Sequence, residues 1–133
     1  MRVLSIDPGG TTGWVSNPLV ELYGTDHGQL MPEAVWDLLM SYKPTHIVIE
    51  TFVFRQAKSR INLTAVEVIG IVKEWARQFN AKVYEQTPSQ AKHYFTDDRL
   101  KERGYYYPGM QHARDAARHL LYALEFGNLK GVT

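Results

Sequence analysis

The sequence predicts an α/β fold, a mixed sheet with helices on its faces. Three observations point there. Short apolar runs of strand length come first, at Val3-Leu4-Ser5-Ile6 and across Thr11–Ser16. From Pro32 onward, helical patterns alternate with strand-like runs. The 61–126 region is dominated by helical spacing, which hairpins alone cannot explain.

The elements follow in order. Val3–Ile6 reads as a buried strand that ends in the turn Asp7-Pro8-Gly9-Gly10. Thr11-Thr12-Gly13-Trp14-Val15-Ser16 returns as the second strand of a hairpin. A third strand lies within Val20–Gln29, its edges blurred by Gly24 and Gly28. Pro32 suits the first turn of a helix running to Tyr42, with Ala34, Leu38 and Leu39 on its apolar side. His46-Ile47-Val48-Ile49-Glu50 is a strongly apolar strand that delivers a carboxylate at its end.

Residues Arg55–Arg60 read as a polar loop, and 61–79 carries the longest helical pattern. Ala65, Val68, Ile69, Val72, Trp75, Ala76 and Phe79 share a stripe, while Ile61, Val66 and Ile71 lie off it. A helix apolar on more than one side is buried from two directions, centrally or at a subunit interface. Ala81–Tyr84 is a further strand, and Thr87-Pro88 caps a helix from Ser89. Asp97–Arg103 either extends that helix or forms its own. A Tyr- and Gly-rich loop, Gly104–Gly109, leads to a last helix over His112–Phe126.

The 133 residues make one domain, 1–133, with room for a real core. An apolar share of 44% and a charged share of 22% favour folding over disorder. The absence of cysteine excludes a disulfide scaffold and any Cys-ligated zinc site. No apolar run nears the ~20 residues of a membrane span, and the start of the chain makes a poor signal peptide. A soluble cytoplasmic protein is the expectation.

The net charge of +1 hides an uneven spread. Residues 1–54 carry a net of −4, residues 55–103 a net of +4 and the remainder +1. Such a chain could gather cations in one place and touch phosphates beside it. On charge alone, ordinary surface variation accounts for the spread equally well.

Three carboxylates stand at the ends of elements. Asp7 closes the first strand; taken alone it reads as an Asx turn. Glu50 repeats the situation after three β-branched residues, although Glu is disfavoured in strands and rarely buried. If the two strands are neighbours, the carboxylates meet, and they repel unless a cation neutralises them. Asp115 shares a helix face with His112, His119 and Tyr122. Alone it suits a solvated first turn, favoured by the helix dipole. As a set the three form an oxygen-rich cation site, and hard oxygen donors suit magnesium or manganese. Phe52, Phe54, Arg55, Lys58 and Arg60 follow Glu50, and aromatics beside basic residues can stack bases and hold phosphates. Lys92, Arg99, Lys101 and Arg103 add candidate backbone contacts, and Tyr105-Tyr106-Tyr107 is a further exposed aromatic candidate. Taken singly, each basic residue fits a solvated face.

This pattern resembles the RuvC-like Holliday junction resolvases of the ribonuclease H superfamily. Val3–Gly9 with Thr12-Gly13-Trp14 resembles their first strand and hairpin, and His46–Glu50 their central strand. Glu85–Lys92, with its P-x-x-x-K pattern, resembles their strand-to-helix junction, and His112–Ala117 their final helix. The resemblance covers nearly the whole chain. It implies a ribonuclease H-like mixed five-stranded sheet flanked by helices and a metal-dependent endonuclease acting on four-way junctions. By carry-over, Asp7, Glu50 and Asp115 would be metal ligands, with His112 at the additional ligand position. Two Mg2+ or Mn2+ ions would activate a water and stabilise the leaving 3′-oxygen. Lys92 would approach the scissile phosphate, Phe52 or Phe54 would wedge into the junction, and helix 61–79 would form a homodimer contact. The aromatic spacing after Glu50 and the short stretch before the final helix depart from the family pattern, which suggests relaxed selectivity toward flaps or forks. Such a small stand-alone enzyme suits a bacterial or phage-infected cell.

Three other readings compete. One is a related YqgF-like nuclease acting on structured RNA. Another is a branched-DNA binder without catalysis, for which three carboxylates near phosphates serve no purpose. The third takes Asp7–Gly13 as an actin-like phosphate loop, but that fold needs two domains and far more residues.

Overall fold

The computed structural model describes residues 1–18, 24–51 and 63–131. Five strands form one sheet: β1 (Val3–Asp7), β2 (Thr12–Asn17), β3 (His27–Leu30), β4 (His46–Glu50) and β5 (Lys82–Gln86). Their spatial order is β3-β2-β1-β4-β5. The hairpin pairs β1–β2 and β2–β3 are antiparallel, whereas β1–β4 and β4–β5 are parallel. The sheet is therefore mixed, as the alternation of elements requires. The helices are α1 (Val35–Tyr42), α2 (Leu63–Phe79), α3 (Pro88–Tyr94), α4 (Asp97–Arg103) and α5 (Gln111–Glu125).

Several boundaries differ from the sequence expectation. Pro32–Ala34 forms a 3-10 turn ahead of α1. Asp97–Arg103 is a separate helix, because Thr96 takes an extended conformation and its hydroxyl accepts the backbone N–H of Arg99 at 3.4 Å. The fifth strand runs two residues beyond Tyr84, to Gln86, held by parallel pairing with β4 through Glu50↔Gln86. The third strand ends at Leu30 rather than Gln29. The polar loop with Phe52, Phe54, Arg55, Lys58 and Arg60 lies outside the described residues.

Strand alternation sorts the side chains onto two faces. Leu4, Ile6, Trp14, Ile47 and Ile49 pack with Leu38 and Leu39 of α1 and with Val68, Val72 and Trp75 of α2. Val3, Val15 and Val48 pack with Ala113, Ala116, Ala117 and Leu120 of α5 and with Phe95 and Leu100. Period two therefore turns Asp7 (with Val3 and Ser5) and Glu50 (with Val48) toward α5.

Helix α5 approaches the sheet very closely. A Cβ at Gly13 of β2 would overlap the His112 carbonyl, so only glycine admits the helix at this depth. The buried Ser5 hydroxyl donates to the Ala116 carbonyl at 2.6 Å. Gln29 of β3 accepts the backbone N–H of His112 at 2.9 Å through Oε1, satisfying one donor of the helix N-terminus. Three strands thus fix where α5 begins and how it is rotated.

Candidate metal centre

The parallel pairing of β1 with β4 aligns Ile6 with Ile49, so Asp7 and Glu50 leave the sheet side by side. Asp7 is buried, and Glu50 beside it is a charged neighbour that disfavours its ionisation. Asp115, one turn into α5, is buried against them. It is not the solvated first-turn residue that its sequence position alone would suggest; the close approach at Gly13 brings it under the sheet edge. His112 comes from the start of the same helix, and its Nδ1 lies 3.0 Å from Asp7 Oδ2.

One candidate ligand atom each from Asp7, His112 and Asp115 falls within 4.8 Å of the other two. Glu50 stands outside that trio. Its Oε1 lies 3.1 Å from Lys92 Nζ and 3.6 Å from His119 Nε2. Lys92 Nζ is also 3.7 Å from Asp115 Oδ2. Of the sequence candidates, Asp7, Glu50, Lys92, His112 and Asp115 therefore converge at one end of the sheet.

The electrostatics record the crowding. Burial, together with Glu50 and Asp115, pushes the Asp7 carboxyl up from 3.8 to about 9. Burial also opposes ionisation of Glu50, but contacts with His119, Asp7 and Lys92 outweigh it and hold this carboxyl below its usual range. For Lys92, burial works against the charge, and Glu50, Asp115 and Asp7 more than offset it, keeping the ammonium above its ordinary value. Without a cation, one carboxyl retains its proton at neutral pH. A divalent ion would supply the missing positive charge, and the carboxylate oxygens with one imidazole could hold it.

Two participants, Arg118 and Gln86, have no signal in the sequence, and His119 has only the helix face it shares with Asp115. Arg118 donates through Nη1 to Asp115 Oδ1 at 2.8 Å and through Nε to the Phe95 carbonyl at 2.6 Å. Its Nη2 pairs with Asp97. Gln86 closes β5 beside Glu50, and its Oε1 lies 2.9 Å from Nδ1 of the fully buried His119. His119 does follow Asp115 at helical spacing, but Gln86 becomes visible only through the parallel register.

The outlying candidates sit elsewhere. Arg99 stacks over Tyr94 at 4.2 Å, Lys101 lies over Tyr106 at 4.7 Å and Arg103 pairs with Glu125. The tyrosine run is not an exposed aromatic platform. Tyr107 is buried and stacks on His27 at 3.7 Å, while Tyr105 and Tyr106 pack against the α5 side of the core.

No family model matches the chain, and no curated protein matches it in sequence. The architecture is that of the ribonuclease H-like α/β proteins. More specifically it is RuvC-like. The structure of Thermus thermophilus RuvC matches with a TM-score of 0.65 at 18% identity, covering 92% of this chain and 95% of that one. T. thermophilus RuvC in complex with Holliday junction substrate matches with a TM-score of 0.63 at 20% identity, with the same coverage. At this identity the likeness is one of fold.

Proposed function

We propose that the protein is a divalent-metal-dependent endonuclease that cleaves branched DNA, four-way junctions foremost. The observation that carries this reading is the convergence of Asp7, His112 and Asp115, with Glu50 beside Asp7, at one end of the sheet. Three carboxylates crowded so that they cannot all ionise together without a cation fit a cation-dependent phosphodiesterase. The RuvC-like fold, found in a protein solved with a Holliday junction, supports the choice of substrate.

In this reading Asp7, Asp115 and His112 hold the cation, with Glu50 completing the set toward a second one. Bound Mg2+ or Mn2+ would supply Lewis-acid activation of water and charge stabilisation at the leaving oxygen. The chain's own residues do the rest. Arg118 fixes Oδ1 of Asp115, and Oδ2, which faces Lys92 at 3.7 Å, is the oxygen it would offer to a ligand. Lys92 now bridges Glu50 and Asp115 and would turn to a backbone phosphate once cations replace it. The basic and aromatic segment with Phe52, Phe54, Arg55, Lys58 and Arg60 would contact the DNA beside the site.

The enzyme would act as a homodimer through α2. Ala65, Val68, Val72, Trp75 and Ala76 of this helix are spent on the core, while Leu63, Val66 and Phe79 remain exposed. Exposed apolar side chains on a helix already buried on its inner face, Leu63 and Val66 on one side and Phe79 on another, support a second partner. Cutting two strands of a junction symmetrically also needs two sites.

The deciding experiment is cleavage of a synthetic four-way junction, a fork and a linear duplex, in Mg2+, in Mn2+ and in EDTA. Metal-dependent cutting of the junction is expected. Cutting of structured RNA in preference to all three DNAs would favour the RNA nuclease reading. Binding of the junction with no cleavage in either metal would favour a binding protein.

A further inference from the structure

Beneath the cation site lies a buried group that the proposed chemistry leaves unused. His119 is fully buried on α5, one turn beyond Asp115. Its Nδ1 meets Gln86 Oε1 at 2.9 Å. Its Nε2 is buried, has no hydrogen-bond partner among the described residues and lies 3.6 Å from Glu50 Oε1. With Gln86 oriented this way, Nδ1 must carry the hydrogen. In a neutral ring Nε2 would then present a bare lone pair to a carboxylate oxygen, and a buried nitrogen so placed is an expensive orphan.

Rotating the Gln86 amide by half a turn exchanges its oxygen and nitrogen, which occupy nearly equivalent positions. Gln86 then donates to Nδ1, and the hydrogen moves to Nε2, aimed at Glu50. The exchange pairs Nδ1 and leaves the Nε2 hydrogen facing the carboxylate at 3.6 Å, a charge–dipole contact that a small side-chain shift closes to a hydrogen bond. The position of each partner follows from the topology. Gln86 is opposite Glu50 in the β4–β5 register, and α5 packs on β4, carrying His119 to the ends of both strands.

We infer that His119 donates its Nε2 hydrogen to Glu50 Oε1, with Gln86 fixing the tautomer, so that the two act as a positioning pair for Glu50. Lys92 of α3 contacts the same oxygen at 3.1 Å. Hydrogen bonding from behind orients a ligating carboxylate and sets the geometry of the whole centre. The inference deepens the metal-dependent reading and rests on it for its consequence, though not for its geometry.

Two measurements on the full chain test it. The first is long-range 1H–15N NMR of the imidazole rings in metal-free protein. A His119 ring protonated at Nε2 is expected; a ring protonated at Nδ1 alone overturns the inference. The second is calorimetric titration with Mn2+. His119→Leu should weaken Mn2+ binding by about ten-fold or more. His119→Gln, whose amide can donate from nearly the same point, should stay within about three-fold of wild type. If both variants bind Mn2+ like wild type, or both lose it equally, the positioning role is wrong. Should His119→Leu fail to fold, Gln86→Leu replaces it. That variant leaves the imidazole in place and should shift the tautomer signal while weakening Mn2+ several-fold; an unchanged tautomer and affinity would overturn the role of Gln86. A wild-type protein that binds no Mn2+ defeats the metal reading, whereas the tautomer measurement still decides the geometry.

Discussion

The two faces of the sheet are built from different materials. On the α1/α2 face the contacts are large: Trp14, Trp75, Leu38, Leu39, Ile47 and Ile49 interdigitate. On the α5 face the contacts nearest the site are small: Gly13, Ser5, Ala113, Ala116 and Ala117 let the helix backbone sit almost on the strands. Large side chains bury more apolar area and supply most of the hydrophobic stabilisation. Small ones allow a close approach that brings polar groups of helix and strands together, as the Ser5 hydroxyl and the Ala116 carbonyl show. One face serves chiefly stability and the other chiefly position, and every carboxylate of the candidate centre points to the second.

Substitutions on each face test that division. The largest effect is expected from Asp7→Asn, which should reduce cleavage by more than about 10³-fold by removing ligand charge. Junction binding in a gel-shift assay should hold or tighten, because a negative charge near the phosphates is gone. Cleavage at the wild-type rate in Mg2+ would refute the metal site. Trp75→Ala, on the opposite face, should cost about 3–5 kcal/mol in urea unfolding and leave Mn2+ affinity intact. A parallel loss of affinity would mean that the faces are not independent. Gly13→Ala should cost about 3 kcal/mol, at the upper end of overpacking. Unlike Trp75→Ala it should also weaken Mn2+ binding, because α5 carries both His112 and Asp115.

The pH dependence of stability gives a subtler contrast. The folded-state pKa of Asp7 is raised, from 3.8 to about 9. The stability linked to its proton is fully present below the unfolded value and declines as pH rises toward about 9. In EDTA, Tm should therefore fall over that window, and Asp7→Asn should flatten the fall. Saturating Mn2+ should restore the upper range by binding the deprotonated site. The smallest effect concerns the exposed side of α2. Nothing crowds a Cβ at Gly70, so Gly70→Ala should stabilise the helix by up to about 1 kcal/mol. Val66→Glu on that side should shift a dimer toward monomer in light scattering without changing Mn2+ affinity.

Much of the fold was legible because period and punctuation are local properties. The apolar run Ile47-Val48-Ile49 and the stripe from Ala65 to Ala76 identify β4 and α2 without reference to anything distant. Asp7, Glu50 and Asp115 stood out for the same reason, as carboxylates placed where an apolar pattern stops. Gln86 did not. A glutamine at a strand end has no local signature, and its importance depends on parallel pairing with a strand 36 residues earlier, Glu50↔Gln86. Tyr107 misled in the opposite direction: a Tyr-rich loop next to glycines looks exposed, but the hairpin supplies His27 to cover it.

By itself, then, the sequence determined the order and type of most elements and the carboxylates that end β1 and β4. The tertiary structure decided which side chains meet. Strand order set Asp7 beside Glu50. Gly13 set the depth of α5, and with it the place of His112 and Asp115. The β4–β5 register brought Gln86 to His119. The physical reason is one of range. Backbone propensity and hydrophobic period act over a few residues, whereas the candidate cation site is assembled from groups more than a hundred positions apart, as Asp7 and His112 are.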